Sequence, residues 1–448
     1  MKESSHRSER AKSRWAILRK ALLKNDRGTA VDSSRDNVRD NTNSTDSSDN
    51  KNTSTLINEH SIHRFAGFQM LKRRIIPKEE SQNMLISENG KSRVEDSQNI
   101  VEYEIPYSPL DSQAEKEKII VRTLERKENG TKLSLKELMS HVHFGVDNTG
   151  NTRVWDCSNV LAFLIMGEKE IPFAEELHQA HGLEYSRNAP FVGLKDVLSL
   201  ATHTKINAIK ERKLLRVLEL GAGMAALPSL VLAALDLKYR AEHETIIPRI
   251  HVTISDGHPH AVENNISCSQ LTRQLYKCNT GSDDNGIHCH SLLWKANDIG
   301  KQECDEIMTN MSSNDSTLSK HVPFDLILVS DCTHFSDFHA DLAATIGRML
   351  RINGICLLCQ PQRGATLKKF MQVLDAMNER ENCPLFQVDL HERYNEEIYD
   401  RHRRLVDGKN EKYDAIIHYP LLLVLKKLRE YHEDQDSCKA TSFVKTRM

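Results

Sequence analysis

The chain of 448 residues is short of net charge, of aromatic residues and of long apolar runs. Its 61 Lys and Arg against 63 Asp and Glu leave a formal charge of −2, so no global basic field attracts nucleic acid or an anionic membrane. No stretch reaches the ~20 consecutive apolar residues that a membrane-spanning helix needs. No secretory leader opens the sequence, and its ten cysteines show no disulfide framework. Free thiols in a reducing compartment are expected: the cytoplasm, with the nucleus also open to the chain. Metal-ligand spacing is equally scarce. "CLLC" at Cys356–Cys359 lies in a strand pattern that turns its two sulfurs to opposite faces. "HCH" at His288–His290 puts two imidazoles on one face, but no further ligand is in view and a strand surface is the simpler reading. No metal is expected.

Three kinds of sequence are present. "AKSRWAILRKALLK", Ala11–Lys24, repeats Trp15, Leu18 and Leu22 at helical spacing among Arg and Lys, a basic amphipathic helix. The stretch from Asn25 to Asn58 is nearly all Asp, Asn, Ser, Thr and Arg. It holds too little apolar surface to offset its ordering entropy, which predicts disorder. From Arg64 to about Val146, "FAGFQMLKRRII", "NIVEYEIPYS" and "KIIVRTLER" read as short strands of a small β-rich unit. A helical pattern follows from Thr152, and then strands and helices alternate. "LLRVLEL", "RIHVTISD", "HCHSLLW", "FDLILVSD" and "GICLLCQ" are the strands. "MAALPSLVLAAL", "PHAVENNISCSQLTRQL", "FHADLAATIGRML" and "TLKKFMQVLDAM" are the helices between them. This alternation predicts an α/β parallel sheet with helices on both faces. "LFQVDLHERY" and "AIIHYPLLLVLKK" close it as strands with no clear helix between, which predicts an antiparallel member. The expected divisions are 1–60, helix and linker; 61–150, the β-rich unit; 151–430, the α/β domain; and 431–448, a tail.

Chemistry gathers at strand ends. "ELGAG", Glu219–Gly223, ends a strand in an acid and turns through two glycines into a helix. Such a turn lets backbone approach a ligand, and parallel sheets bind ligands at this end. A dinucleotide fingerprint would carry a third glycine where Ala226 stands. A carboxylate at Glu219 would repel a pyrophosphate and attract the ammonium of a methionine moiety. Glu219 therefore favours S-adenosylmethionine over NAD, although a Gly-x-Gly alone is also plain turn chemistry. Asp256, 35 residues after Gly221, ends the next strand and is placed either to accept ribose hydroxyls or to cap the following helix. Ser330 and Asp331 end a further strand, where adenine and the reacting methyl would meet. Trp294 and Trp155 are placed either to stack on the cofactor or to fill the core.

"VW", "ELGAGM", "SDGHPHAVENN", "SLLW" and "SDC", in this order, resemble the seven-strand, family-16 protein-lysine methyltransferases. "HRFAGFQML", "VEYEIPYSP", "FGVDNTGNTRVW", "QPQRGATLKKF" and "IHYPLLLVLKK" are similar to those members that act on calmodulin, over about Arg64 to Lys427. The resemblance implies a Rossmann-like seven-strand sheet. It also implies methyl transfer from S-adenosylmethionine to one lysine of calmodulin, up to trimethyl-lysine. It carries cofactor contact onto Trp155, Gly221, Ala222, Gly223, Asp256, Trp294 and Ser330. Where the family has an acid followed at the third position by an aromatic, this chain has Asp331 and His334, with Phe335 next. Asp331 and His334 are the candidates for receiving the lysine's proton, and Phe335, Tyr394 and Tyr419 for holding a methylated ammonium. An acidic partner would meet basic runs at Lys72–Arg74, Lys368–Lys369 or Arg401–Arg404. The rival reading is a cofactor-binding calmodulin adaptor without catalysis.

Overall fold

The computed structural model describes residues 67–81, 84, 98–107, 117–126, 154–166, 215–242, 250–276, 286–310, 322–334, 336–363, 365–379, 384–410 and 412–432. All of these belong to one compact unit, Phe65–His141 with Val146–Met448. The predicted amphipathic helix, the polar linker and Phe335 lie outside the described residues.

The α/β part is a seven-stranded sheet. Its strands are β4 (Leu215–Leu220), β5 (Ile250–Asp256), β6 (Ile287–Ser291), β7 (Phe324–Ser330), β8 (Leu350–Pro361), β9 (Phe386–His391) and β10 (Pro420–Lys427), in the spatial order β6-β5-β4-β7-β8-β10-β9. β6 through β8 run parallel, while β10 is antiparallel to both β8 and β9. This is the expected Rossmann-like sheet with its antiparallel member. β5 and β7 are buried at every position. "FDLILVS" is a near-continuous apolar run, as expected of a strand covered on both faces, whereas "IHVTISD" alternates apolar residues with buried polar ones. The chain leaves β4 toward β5 and β6, and later returns to build β7 and β8 on the other side. Between β4 and β7 the strand order therefore reverses, which opens a crevice at their carboxyl ends.

Helices α2 (Asp156–Met166), α3 (Leu227–Glu242), α4 (Pro259–Leu275), α5 (Asp298–Asn310), α6 (His339–Met349) and α7 (Thr366–Asn378) flank the sheet; α1 (Lys78–Ser81) is a single turn beyond it. A second sheet of three antiparallel strands, β1 (Lys72–Ile75), β2 (Gln98–Tyr107) and β3 (Glu117–Arg126), confirms the three early strand patterns.

Three local readings need correction. First, a twelve-residue helix, α8 (Glu396–Asp407), fills the stretch between β9 and β10 that the sequence left without one. Its only fully buried residue is Ile398, with Tyr399 and Leu405 packed part-way against the core, so its apolar stripe is narrow. Its signals are polar instead: Asn395 caps it by accepting from the Ile398 N–H at 3.2 Å, with Glu396 and Glu397 in the first turn and Arg404 in the last. Second, "AIIH" is not strand but a turn of helix, α9 (Ala415–His418), and Pro420 begins the strand. Third, β6 stops at Ser291, so Trp294 lies beyond it. Cys356 and Cys359 are both buried free thiols.

Candidate active site

The turn after β4 is built on left-handed backbone: Gly221 has φ +64° and Gly223 φ +62°. A Cβ on Gly221 would stand 2.7 Å from Cys332 Sγ and 2.9 Å from Trp294 Cζ2. The segments after β4, β6 and β7 therefore converge on a bare Cα. Ala226, where a dinucleotide motif carries glycine, holds φ +44° despite its methyl, a strain of roughly 1 kcal/mol.

Asp256 is nearly buried, and both its oxygens are engaged. Oδ2 accepts from the Gly223 N–H and Oδ1 from the His258 N–H, each at 2.8 Å. The N-cap of α4 is His258, not Asp256. Asp256 thus pins the glycine turn to the start of α4. Each carboxylate oxygen can accept a second bond, so capacity for hydroxyl donors remains. Burial pushes its pKa up, against the pull of the His258 and Gly223 N–H bonds.

Glu219 is fully enclosed. Oε2 accepts from the Ser229 N–H at 3.0 Å, near the start of α3, while Oε1 has no hydrogen-bond partner. Burial pushes its pKa up to about 7; Ser229 opposes that rise and the charge of Asp256 adds to it. Ser330 Oγ and Thr333 Oγ1 are likewise buried without partners. With Ser229 Oγ beside Glu219, four unpaired polar atoms thus lie about the ends of β4 and β7. Buried polar groups in folded proteins are nearly always satisfied, so such a cluster fits a site completed by a polar ligand.

The loop after β7 is clamped from several sides. Asp331 takes φ +57°, a conformation uncommon for any residue but glycine. Its N–H donates to Cys359 O at 3.0 Å. Its carboxylate accepts from Gln360 Nε2 at 2.9 Å and forms an ion pair with Arg363 at 2.5 Å. Gln360 Oε1 accepts from the Thr333 N–H at 2.9 Å. The buried His339 donates from Nε2 to Thr333 O at 2.8 Å, because a carbonyl can only accept. His334 Nδ1 lies 3.0 Å from Asp331 O and donates to it, since a carbonyl can only accept. The guanidinium of Arg363 also covers the ring of Trp155, 5.0 Å from its centroid.

The structure therefore gathers Glu219, Gly221, Ala222, Gly223, Asp256, Trp294, Ser330 and Cys332 about the carboxyl ends of β4, β5 and β7, and joins Trp155 to Asp331 through Arg363. Gln360, Arg363 and Cys332 were not singled out from the sequence. The signal for Gln360 and Arg363 was "QPQR", a polar run that follows the apolar "ICLLC". Tyr394 and Tyr419 do not form a cage. Both are buried, and their hydroxyls donate to Pro420 O and Glu392 O. The basic run Lys72–Arg74 is spent on Glu104, Glu125 and Glu102 in the small sheet. Lys368, Lys369, Arg403 and Arg404 remain exposed.

A family model described as lysine methyltransferase matches residues 146–377, just over half of the chain. The calmodulin-lysine N-methyltransferase of Arabidopsis thaliana is 28% identical over 212 residues, which cover 46% of this chain and 56% of that protein. Solved structures similar to this chain include the plantazolicin methyltransferase in complex with SAH, with a TM-score of 0.25, 14% identity, and coverage of 61% of this chain and 95% of that one. Another is phosphoethanolamine N-methyltransferase 2 of Haemonchus contortus with S-adenosyl-L-methionine, with a TM-score of 0.24, 13% identity, and coverage of 48% and 49%.

Proposed function

The chain belongs to the lysine methyltransferase family, with S-adenosylmethionine as its methyl donor, and from that premise we propose that it methylates a lysine of calmodulin, through to trimethyl-lysine. The observation that carries the choice of substrate is the similarity to the Arabidopsis enzyme that bears this name.

Glu219, the Gly221–Gly223 turn, Asp256, Trp294 and Ser330 would hold the cofactor. Glu219 Oε1, unpaired in its enclosure, suits the ammonium; the carboxylate of Asp256 suits the ribose hydroxyls. When bound, the cofactor supplies a methyl on a cationic sulfur, open to attack by a neutral amine. A lysine amine has an intrinsic pKa near ~10.4, so well under ~0.1% of it is neutral at pH 7. The site must therefore take up a proton. Asp331 is poorly placed for this, since its carboxylate is ion-paired with Arg363 and a proton arriving there would break that pair. We assign it the anchoring of the loop. His334, held on that anchored loop through Nδ1, is the proton acceptor in this reading.

The two roles separate experimentally. His334→Gln lowers kcat by about a hundredfold while KM for calmodulin stays within about threefold. Asp331→Asn keeps kcat within about threefold but destabilises the fold by roughly 1–3 kcal/mol, because Arg363 loses its anion. An unchanged kcat in His334→Gln would eliminate the assignment. The substrate is tested by incubating the protein with calmodulin and labelled S-adenosylmethionine, then weighing calmodulin by mass spectrometry. Mass steps of one, two and three methyl groups on a single lysine are expected. Calmodulin binding without transfer would favour the adaptor reading, and no binding at all would discard calmodulin.

A further inference from the structure

Helix α4 and the residue that ends it carry Asn264, Cys268, Thr272 and Tyr276, four residues apart and so aligned on one face. That face lies along β3, an edge strand of the small sheet. The Leu124 N–H donates to Cys268 Sγ at 3.1 Å, and Leu124 O accepts from Asn264 Nδ2 at 3.0 Å. The Arg122 N–H donates to Thr272 Oγ1, and Arg122 O accepts from that hydroxyl, both at 3.2 Å. Ile120 makes the same reciprocal pair with the Tyr276 hydroxyl, both bonds at 2.9 Å. Three successive outward-facing pairs of backbone groups on β3 are taken up in this way. The helix stands in for a neighbouring strand and closes an edge that would otherwise be open.

Asn264 does more than its three companions. Its amide also donates to Met224 O in the turn after β4, and its Oδ1 accepts from Gln98 Nε2 at 3.0 Å. The adjacent Asn265 donates to Gly223 O at 3.1 Å. One buried side chain thus holds a carbonyl of the glycine turn and a carbonyl of β3 together. We propose that Asn264 is a positioning residue for the cofactor loop: its amide fixes the Met224 carbonyl of the glycine turn against Leu124 of β3. Cys268, Thr272 and Tyr276 secure the sheet to the helix without reaching that turn.

The test uses the full chain, isothermal titration with S-adenosylhomocysteine, and thermal melts. Asn264→Asp keeps the shape of the side chain and removes both N–H donors. It should raise Kd about tenfold or more, and raise KM for the cofactor while kcat at saturation stays within about threefold. Thr272→Val removes two bonds on the same sheet edge without touching the glycine turn. It should lower Tm and leave Kd within about twofold. Asn264→Ser, which keeps one donor, gives the same comparison if Asn264→Asp does not fold. A wild-type Kd in either Asn264 variant overturns the proposal. So does a Thr272→Val variant that weakens binding as much as Asn264→Asp, since general loosening of the sheet would then explain the effect.

Discussion

Gly221→Ala is expected to abolish cofactor binding and to cost roughly 2–4 kcal/mol of stability. Two independent causes add. The φ of +64° is unfavourable for any residue with a Cβ. The added carbon would also meet Cys332 Sγ at 2.7 Å and Trp294 Cζ2 at 2.9 Å, well inside contact distance. Neither neighbour yields easily. Cys332 is buried and its thiol points at the carbonyls of Leu220 and Ser330, while Trp294 packs against the core. A thermal melt and a titration with S-adenosylhomocysteine measure the two effects. The double variant Gly221→Ala with Cys332→Ala should recover part of the lost stability, because the nearer obstacle is gone. Undiminished cofactor affinity in Gly221→Ala would mean that the ligand does not approach this turn.

Glu219→Gln is expected to move stability and binding in opposite directions. The folded-state pKa of Glu219 is raised to about 7 from an ordinary carboxylate value of 4.5, chiefly by burial. For an acid raised in this way, the unfolded chain releases its proton before the folded one. The group therefore costs nothing below pH 4.5, costs more as pH rises toward 7, and costs a constant amount above that. At pH 8 the cost reaches about 3 kcal/mol at most, and glutamine removes it while still accepting from the Ser229 N–H. The gain in Tm over the wild type should thus be absent near pH 4.5 and largest at pH 8. Cofactor affinity should fall at least about tenfold, because a cationic ammonium loses its charged acceptor. A variant that is less stable at every pH would show that the carboxylate is a satisfied structural group and not one held in readiness for a ligand.

The same division explains what could be read in advance. The strands "RIHVTISD" and "FDLILVSD" and the helix "PHAVENNISCSQLTRQL" were legible because they are long and strongly patterned. α4 spans Pro259–Leu275 as expected. The glycine turn and the acids at Glu219 and Asp256 were legible because glycines mark the turn that ends a strand and a carboxylate stands out after an apolar run. Helix α8 was not, because it fully buries one residue and relies on capping and charge. The state of Asp331 was not legible either. Its partners Gln360 and Arg363 lie 29 and 32 residues away in the chain. Only the pairing of β7 with β8 makes them neighbours. The tyrosines suggested as a cage failed for a related reason. Nothing local shows that Tyr394 and Tyr419 spend their hydroxyls on carbonyls inside the core.

The sequence alone determined the alternation of strand and helix, the left-handed turn at Gly221 and Gly223, and the placing of acids at the ends of two strands. These follow from periodicity and from backbone freedom, which neighbouring residues decide among themselves. Tertiary structure alone decided which groups are spent and which are left for chemistry. It paired the carboxylate of Asp331, left Glu219 Oε1 unpaired, tied His334 Nδ1 to Asp331 O and set Asn264 between β3 and the glycine turn. A hydrogen-bond partner or a depth of burial is a property of distance in space, and separation along the chain does not encode it.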